Sequence, residues 1–273
     1  NAESYAVSIL KRRNKSLVSV SRVHGGDIYI ERNSGFLPFR RTIIKTLNGI
    51  HTISNHGKEY LINTYGQILN NKVQIARLGV SSTSRVVKSD NNIIVSSCSS
   101  DDPVKRVLLI LQSLGEFSKQ NNVIITWIHI GINKINFEKK YGSYITKYPN
   151  LKCKIVGTIP NNEVTGIYQK YQPSLFVNTS ESEGLPVAIM EALSCGLPII
   201  ATNVGGTSEI VDSHVGALLD KNFVFNDIEN AIFELVKHRE KYSKMAFNKW
   251  KDTCNAEKNF SEFYLQLKRY HAE

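Results

Sequence analysis

Long apolar runs, paired cysteines and an acidic excess are all missing from this sequence of 273 residues. A helix that crosses a bilayer needs about 18 consecutive apolar residues, and no apolar run in this sequence is that long. No membrane-spanning helix is therefore predicted. The four cysteines are scattered without a C-x-x-C pair, which argues against a disulfide framework or a structural metal site. Unpaired cysteines favour a reduced compartment such as the cytoplasm. The hydrophobic content of 41% suffices for one large core or two smaller ones.

The charge balance gives the first positive indication. The formal net charge is +10, and the basic residues are spread along the chain with local clusters at Lys11-Arg12-Arg13 and Arg40-Arg41. Because no RNP-like or zinc-finger pattern accompanies them, nucleic acid is not the expected partner. The positive charge instead predicts attraction to anionic lipid and to diphosphate ligands.

Predicted strands and helices alternate along the chain, which is typical of a parallel, doubly wound α/β sheet. A polar stretch near residues 81–92 has the composition of a linker. We therefore predict a first domain at residues 1–85 and a second at residues 93–273. The predicted helices are 3–13, 37–47, 56–65, 104–117, 137–148, 163–171, 227–238, 240–253 and 260–270. The predicted strands are 17–21, 49–54, 72–76, 93–96, 123–129, 152–156, 173–178 and 197–202.

The most informative stretch lies between the last two predicted strands. Pro186 suits the first turn of a helix that Ser182 or Glu183 can cap and Gly196 can end. The unit is therefore a parallel crossover of strand, turn, helix and strand. It places the Glu183 carboxylate and a turn containing Gly184 at a helix N-terminus. Free N–H groups and the helix dipole attract anions to such a position.

Glu191 lies eight residues after Glu183, about two turns into the same helix. Helix geometry alone favours a plainer interpretation, in which Glu183 is a helix-start charge and Glu191 lies on a solvated face. Two features favour a ligand site instead. The helix neighbours of Glu191 are apolar, and a second glycine turn, Gly205-Gly206, follows the next strand. Two such turns at adjacent strand ends form a cradle for an anion.

Together these segments resemble the C-terminal signature of glycosyltransferase family 4, which contains an E-x7-E motif. The family consists of retaining enzymes with two Rossmann-like domains, the GT-B architecture. Weaker correspondences extend over most of residues 16–220. The matching segments are Ser182-Glu183-Gly184-Leu185-Pro186, Glu191-Ala192, Cys195-Gly196-Leu197-Pro198, Ala201-Thr202 and Val204-Gly205-Gly206-Thr207-Ser208-Glu209.

The resemblance implies a role for each domain. Residues 1–85 would be the remainder of an acceptor-side Rossmann-like domain whose first ~100 residues are expected to be missing. Residues 93–273 would be the nucleotide-sugar-binding domain, with a final helix that crosses back to the first. A chain truncated in this way is expected to bind a nucleoside diphosphate weakly and to show little or no transfer.

The resemblance also assigns roles to individual residues. Lys105, poorly placed against the dipole of the helix it begins, looks like the family's phosphate-binding lysine. The family's preceding arginine is missing, and Arg106 is its candidate replacement. His24, at a strand end, and Glu183 are the expected catalytic residues. The other predicted donor contacts in these segments are Ser182, Gly184, Leu185, Pro186, Glu191 and Gly206. Gly157 is a further predicted donor contact because it ends a strand of the second domain, where ligands bind in open α/β sheets. Weaker candidates are Asp27, Arg77 and Gly131.

The predicted function is transfer of a sugar from a nucleoside diphosphate sugar, with a UDP-sugar as the first choice. The acceptor would be a hydroxyl of a glycan or lipid-linked glycan in polysaccharide biosynthesis, as in bacterial exopolysaccharide and capsule transferases. No cofactor or metal is expected, because Asp101-Asp102 is a helix cap rather than a D-x-D site. The expected location is the cytoplasm, in peripheral contact with anionic lipid at the inner membrane face. Two alternatives stay open: a non-catalytic sugar-nucleotide or glycan-binding subunit, and a sugar-nucleotide epimerase on the same architecture.

Overall fold

The computed structural model describes residues 2–86 and 92–270. Its helices are α1 (Ala2–Arg13), α2 (Gly25–Ile28), α3 (Arg40–Thr46), α4 (Asn55–Tyr65), α5 (Val107–Gln120), α6 (Lys134–Ile145), α7 (Asn161–Tyr171), α8 (Val187–Ser194), α9 (Phe225–Lys237), α10 (Arg239–Lys249) and α11 (Ala256–Arg269). Its strands are β1 (Val20–Val23), β2 (Gly49–Thr52), β3 (Val73–Ile75), β4 (Ile93–Cys98), β5 (Ile125–Ile130), β6 (Leu151–Gly157), β7 (Leu175–Asn178), β8 (Ile199–Thr202) and β9 (Gly216–Leu219). Within the described ranges, no helix is long and apolar enough to cross a membrane.

The chain divides into two compact units. The first contains Asn1–Gly79, Glu183–Leu185 and Ala256–Glu273, and the second contains Val80–Ser182 and Pro186–Asn255. The final helix and a three-residue segment around Gly184 therefore group with the first unit, although both are distant from it in sequence.

The first unit contains a three-stranded parallel sheet in the order β1-β2-β3. Its buried core includes Val23 from β1, Ile50 from β2 and Val73 from β3. The C-terminal helix α11 is attached to this sheet by Gln266, whose amide pairs with His51 Nδ1 at 3.1 Å and donates to the Ile75 carbonyl at 3.0 Å.

The second unit contains a six-stranded parallel sheet in the order β6-β5-β4-β7-β8-β9. Helices α5 and α9 bury their apolar faces in its core, which also contains Trp127 of β5. Because β4 pairs with both β5 and β7, the strand order reverses beside β4. In open α/β sheets, ligands bind at the carboxyl ends of the strands next to such a reversal.

The α/β class with parallel sheets is confirmed, and most predicted elements exist within a few residues of their expected bounds. The predicted end of α8 is also confirmed, since Gly196 adopts φ +69° directly after that helix. The predicted capping by Ser182 or Glu183 is wrong, because α8 begins at Val187 with Pro186 as an N-cap that makes no side-chain cap bond. The predicted linker is irregular over residues 81–86, and its residues 87–91 lie outside the described part.

Candidate functional site

The carboxyl ends of β4, β7 and β8 lie side by side in the sheet of the second unit. The loop after β4 contains Lys105 and Arg106, the chain after β7 leads to Ser182 and Pro186, and the chain after β8 contains Gly206. The structure thus brings the predicted donor residues of this unit to one edge of one sheet.

The loop after β4 is tightly folded around its acidic pair. The Asp102 carboxylate accepts a hydrogen bond from the Val104 N–H at 2.9 Å and caps a short turn at Pro103–Lys105. Asp102 is therefore a cap, as the sequence predicts. Lys105 ends this turn half-buried, two residues before α5 begins. A cation is unfavourable at a helix N-terminus, and a bound anion would remove that penalty.

Arg106 makes structural contacts that the sequence did not predict. Its backbone is left-handed, with φ 49°. Its Nε donates to the Thr179 carbonyl and its Nη1 to the Lys221 carbonyl, the latter at 2.7 Å. Nη2 is buried and has no hydrogen-bond partner among the residues that the structure describes. Arg106 thus joins the loops after β4, β7 and β9, and its predicted contact with phosphate stays a prediction.

Glu191 is a buried acid on α8. The residue is 7% exposed, and burial raises the pKa of its carboxyl to about 7. Within the described ranges, no hydrogen bond or ion pair reaches this carboxylate. Because a buried charge without donors is destabilising, the position has an unmet need for hydrogen-bond donors. The plainer interpretation, a solvated helix face, is wrong.

Cys98, at the end of β4, lies within electrostatic reach of both key charges. Burial and, to a smaller extent, the Glu191 charge raise the pKa of its thiol to about 12 against a lowering effect of Lys105. Tyr168 is fully buried nearby, and its pKa is raised well above the ordinary value by burial, with contributions from Cys98 and Glu191. A cation and an acid therefore flank the same strand end, an arrangement suited to a ligand with an anionic part and a hydroxyl-bearing part.

His129 supports the base of the same edge. Its Nδ1 lies 2.8 Å from the Ser97 hydroxyl, which accepts a hydrogen bond from Trp127 Nε1 at 2.9 Å. Burial lowers the pKa of His129 to about 4, so the ring is neutral at physiological pH. The sequence analysis did not single out His129 as a site residue. Its place at a predicted strand end was the signal that could have found it.

The glycines at this edge of the sheet occupy their positions for different structural reasons. Gly131 has φ +111°, and an added Cβ would lie 2.4 Å from the Ser99 carbonyl oxygen, so close packing alone explains it. Gly157 has φ +95° and faces open space. Gly206 is buried and begins the short turn Thr207–Glu209 after β8. Gly157 therefore leaves its backbone accessible, and Gly206 allows a tight turn. Both are positions where a ligand contact is predicted.

In the first unit, the backbone of Gly184 packs closely against the backbone of Gly25 at the start of α2. An added Cβ on Gly184 would lie 3.0 Å from the Gly25 backbone nitrogen, and one on Gly25 would lie 3.1 Å from the Gly184 Cα. A side chain at either position would have to push the two backbones apart by a few tenths of an ångström. Glu183 and Leu185 on either side are 6% and 4% exposed.

His24 directly precedes this contact. It is exposed at the carboxyl end of β1, and its backbone N–H donates to the Asp27 carboxylate at 2.9 Å. Asp27 thus fixes the turn that positions His24. Arg77 follows β3 and is half-buried. Roles for these residues in sugar transfer or phosphate binding stay predictions.

A metal ion in a protein needs a set of ligating side chains that lie close together. In the part of the chain that is described, no group of three or more His, Cys, Asp or Glu residues could hold an ion.

Comparison with known proteins identifies the family. Residues 82–252 match the family model described as glycosyl transferases group 1. An uncharacterized glycosyltransferase of Methanocaldococcus jannaschii is 27% identical over 237 residues, covering 86% of this chain and 63% of the relative. The chain therefore spans less than two thirds of that relative. The Escherichia coli UDP-Gal:alpha-D-GlcNAc-diphosphoundecaprenol alpha-1,3-galactosyltransferase is 32% identical over 120 residues, covering 43% of this chain and 29% of that enzyme.

A solved structure supports the fold over nearly the whole chain. Anabaena HepE in complex with UDP and glucose aligns with a TM-score of 0.76 at 17% identity, covering 97% of this chain and 75% of HepE. The GT-B architecture predicted from the sequence is confirmed. These comparisons give no support to the epimerase or to the non-catalytic binding subunit.

Proposed function

The chain belongs to the group 1 glycosyl transferase family, and on that premise we propose that it serves transfer of a sugar from a nucleoside diphosphate sugar to a hydroxyl. The observation that carries this proposal is the buried carboxylate of Glu191 without a donor. Ribose hydroxyls are donors of the right kind, and a carboxylate can accept two of them. Hydrogen bonds to a charged group are stronger than neutral ones.

The leaving diphosphate needs stabilisation as charge develops on it. In the second unit, we assign this task to Lys105, with Ser182, Pro186 and Gly206 as further donor contacts and Gly157 as a neighbour of the nucleotide. Arg106 would hold the loop that carries Lys105. In the first unit, His24 and Glu183 are the proposed catalytic residues, and Gly184 and Leu185 fix the position of Glu183.

A UDP-sugar is the proposed donor. HepE was solved with UDP, and the Escherichia coli relative is named for UDP-Gal and for an acceptor on diphosphoundecaprenol. By the same likeness, the proposed acceptor is a glycan or lipid-linked glycan in polysaccharide biosynthesis. The proposed stereochemistry is retention, with the acceptor attacking the face that the diphosphate leaves and a phosphate oxygen taking its proton.

The proposed location is the cytoplasm, at the inner face of the cell membrane. A net charge of +10 favours peripheral attraction to anionic lipid.

Binding of UDP by calorimetry tests the proposal directly. We expect Glu191→Ala to weaken binding by roughly 1–3 kcal/mol, the scale for hydrogen bonds lost from a charged group. Glu138→Ala, which removes an exposed carboxylate on α6, is the matched control and should bind UDP as the unchanged chain does. Unchanged UDP affinity in a folded Glu191→Ala variant would remove the basis of the proposal. Mass spectrometry of the product and NMR of its anomeric proton would then test transfer and retention.

A further inference from the structure

The first unit contains a pocket at the end of its sheet opposite the proposed catalytic residues. Its volume is about 310 Å³, and it is lined by Arg41, Ile44, Lys45, Thr64, Tyr65, Leu69 and Lys72. These residues come from α3, the end of α4 and the chain entering β3, so they surround the amino ends of β2 and β3. His24 follows the carboxyl end of β1. Because β1, β2 and β3 are parallel, the pocket and His24 lie at opposite ends of the sheet.

The charge of the pocket is uniformly positive. Three of its seven lining residues are cations, and none is acidic. Over the described ranges, Arg41, Lys45 and Lys72 have no ion-pair partner. Tyr65 lies within electrostatic reach of Arg41 and of the buried Arg40, both of which lower its pKa against the larger raising effect of burial. The pocket therefore concentrates positive charge that the protein itself does not neutralise.

Helix stabilisation explains only part of this charge. Lys45 lies in the last turn of α3, where a cation is favourable, and Lys72 donates to the Lys45 carbonyl at 3.0 Å. That bond uses one of the three donors of the Lys72 ammonium. Arg41 lies in the first turn of α3, where a cation is unfavourable. The dipole of α3 therefore does not account for Arg41.

The floor of the pocket is apolar. Ile44 and Leu69 are both 4% exposed. Two large aromatic residues precede α3 and are exposed, Phe36 at 71% and Phe39 at 56%. They do not line the pocket, and the Phe39 ring stacks on that of Tyr5. The lining thus suits an anion attached to an organic group.

We propose that this pocket binds the phosphate group of a phosphate ester, with Arg41, Lys45 and Lys72 around the phosphate and Ile44 and Leu69 against the organic part. Two sources can supply such an ester, an anionic phospholipid headgroup and a small soluble phosphate ester, and the experiment distinguishes them. The proposal stands apart from the proposed sugar transfer, since none of these residues has a role in it.

The test uses the whole chain and two probes. Vesicles of phosphatidylcholine with and without phosphatidylglycerol represent the lipid source, and glycerol phosphate represents the soluble source. The variant is Arg41→Gln/Lys45→Gln, which changes two exposed side chains and should fold. The control is Lys139→Gln/Lys152→Gln, which removes the same charge from exposed positions of the second unit.

We expect the pocket variant to lose about tenfold or more in affinity for at least one probe, on the scale of about fivefold per cation near an anionic surface. If the pocket variant loses affinity for vesicles alone, the ligand is a lipid headgroup. If it loses affinity for glycerol phosphate, the ligand is a soluble ester. UDP affinity should stay unchanged in the same variant, which separates this result from the fate of the proposed transfer. The proposal is overturned if neither probe binds the unchanged chain, or if the control loses as much affinity as the pocket variant.

Discussion

At the residue scale, Glu191 is a buried acid whose charged form destabilises the folded protein. Its carboxylate is buried on α8 without a hydrogen-bond donor from the described residues. Burial favours the neutral form of such a group, which is why its pKa rises to about 7. A ligand that supplies donors would favour the charged form and would lower that pKa again.

This burial predicts a pH-dependent stability for the unliganded protein. The folded-state pKa of about 7 lies above the ordinary value of 4.5, so the folded state binds more protons between these pH values. The contribution of Glu191 is fully present below pH 4.5 and is lost as the pH rises to about 7. Glu191→Gln cannot ionise, so we expect it to gain stability over the unchanged chain across this window, by at most about 3 kcal/mol. Urea unfolding of both proteins at several pH values measures the difference.

The comparison of Glu191→Gln with the unchanged chain is needed because His129 changes the stability with pH in the opposite direction. Its pKa is lowered from 6.5 to about 4 by burial, so its contribution is present above pH 6.5 and is lost as the pH falls. That contribution is common to both proteins and cancels in the comparison. A difference that does not change with pH would show that Glu191 ionises as an exposed carboxyl does.

The sequence supplied candidate site residues, which stay predictions, but it could not describe their surroundings. The spacing of Glu183 and Glu191 and their glycine turns could be read directly from the chain. The burial of Glu191 could not, because its surroundings come from elements distant in sequence, as its electrostatic effects on Cys98 and Tyr168 show. The bonds from Arg106 to the Thr179 and Lys221 carbonyls were equally invisible, since they join loops far apart in sequence.

At the element scale, the sequence predicted most helices and strands, including short strands such as β1 and β7. The sequence analysis omitted α2 and β9, each four residues long, and each begins with a glycine that weakens its local signal. The predicted start of α8 was too early because Glu183–Leu185 belongs to the first unit instead of extending the helix. In both cases tertiary contacts, rather than local propensity, set the bounds.

Arg106 gives the element-scale prediction, because it joins the loops after β4, β7 and β9. We expect Arg106→Gln to lower the free energy of unfolding by about 1.5–3 kcal/mol, the scale of a hydrogen bond to a charged group. Urea unfolding measures this loss, with Lys119→Gln at the exposed end of α5 as the control. If the variant keeps its stability and loses UDP affinity, Arg106 is a phosphate ligand and the structural role is wrong.

At the scale of the whole molecule, each of the two units carries cations at one edge of its own sheet. Lys105 lies at the carboxyl edge of the six-stranded sheet, and the pocket of Arg41, Lys45 and Lys72 lies at the amino edge of the three-stranded one. Each unit has its own hydrophobic core to hold its site in place. The net charge of +10 therefore includes cations from both units.

The same charge balance predicts that UDP binds without a metal ion. Mg²⁺ sites use carboxylate oxygens together with substrate phosphates, and the described residues include no cluster of acidic side chains placed to hold an ion. Lys105 and the N–H groups of the turns can neutralise the diphosphate instead. We therefore expect calorimetry to give the same UDP affinity in EDTA as in Mg²⁺. Loss of binding in EDTA, with recovery on adding Mg²⁺ or Mn²⁺, would mean that a cation shared with the diphosphate supplies the charge that we assign to Lys105.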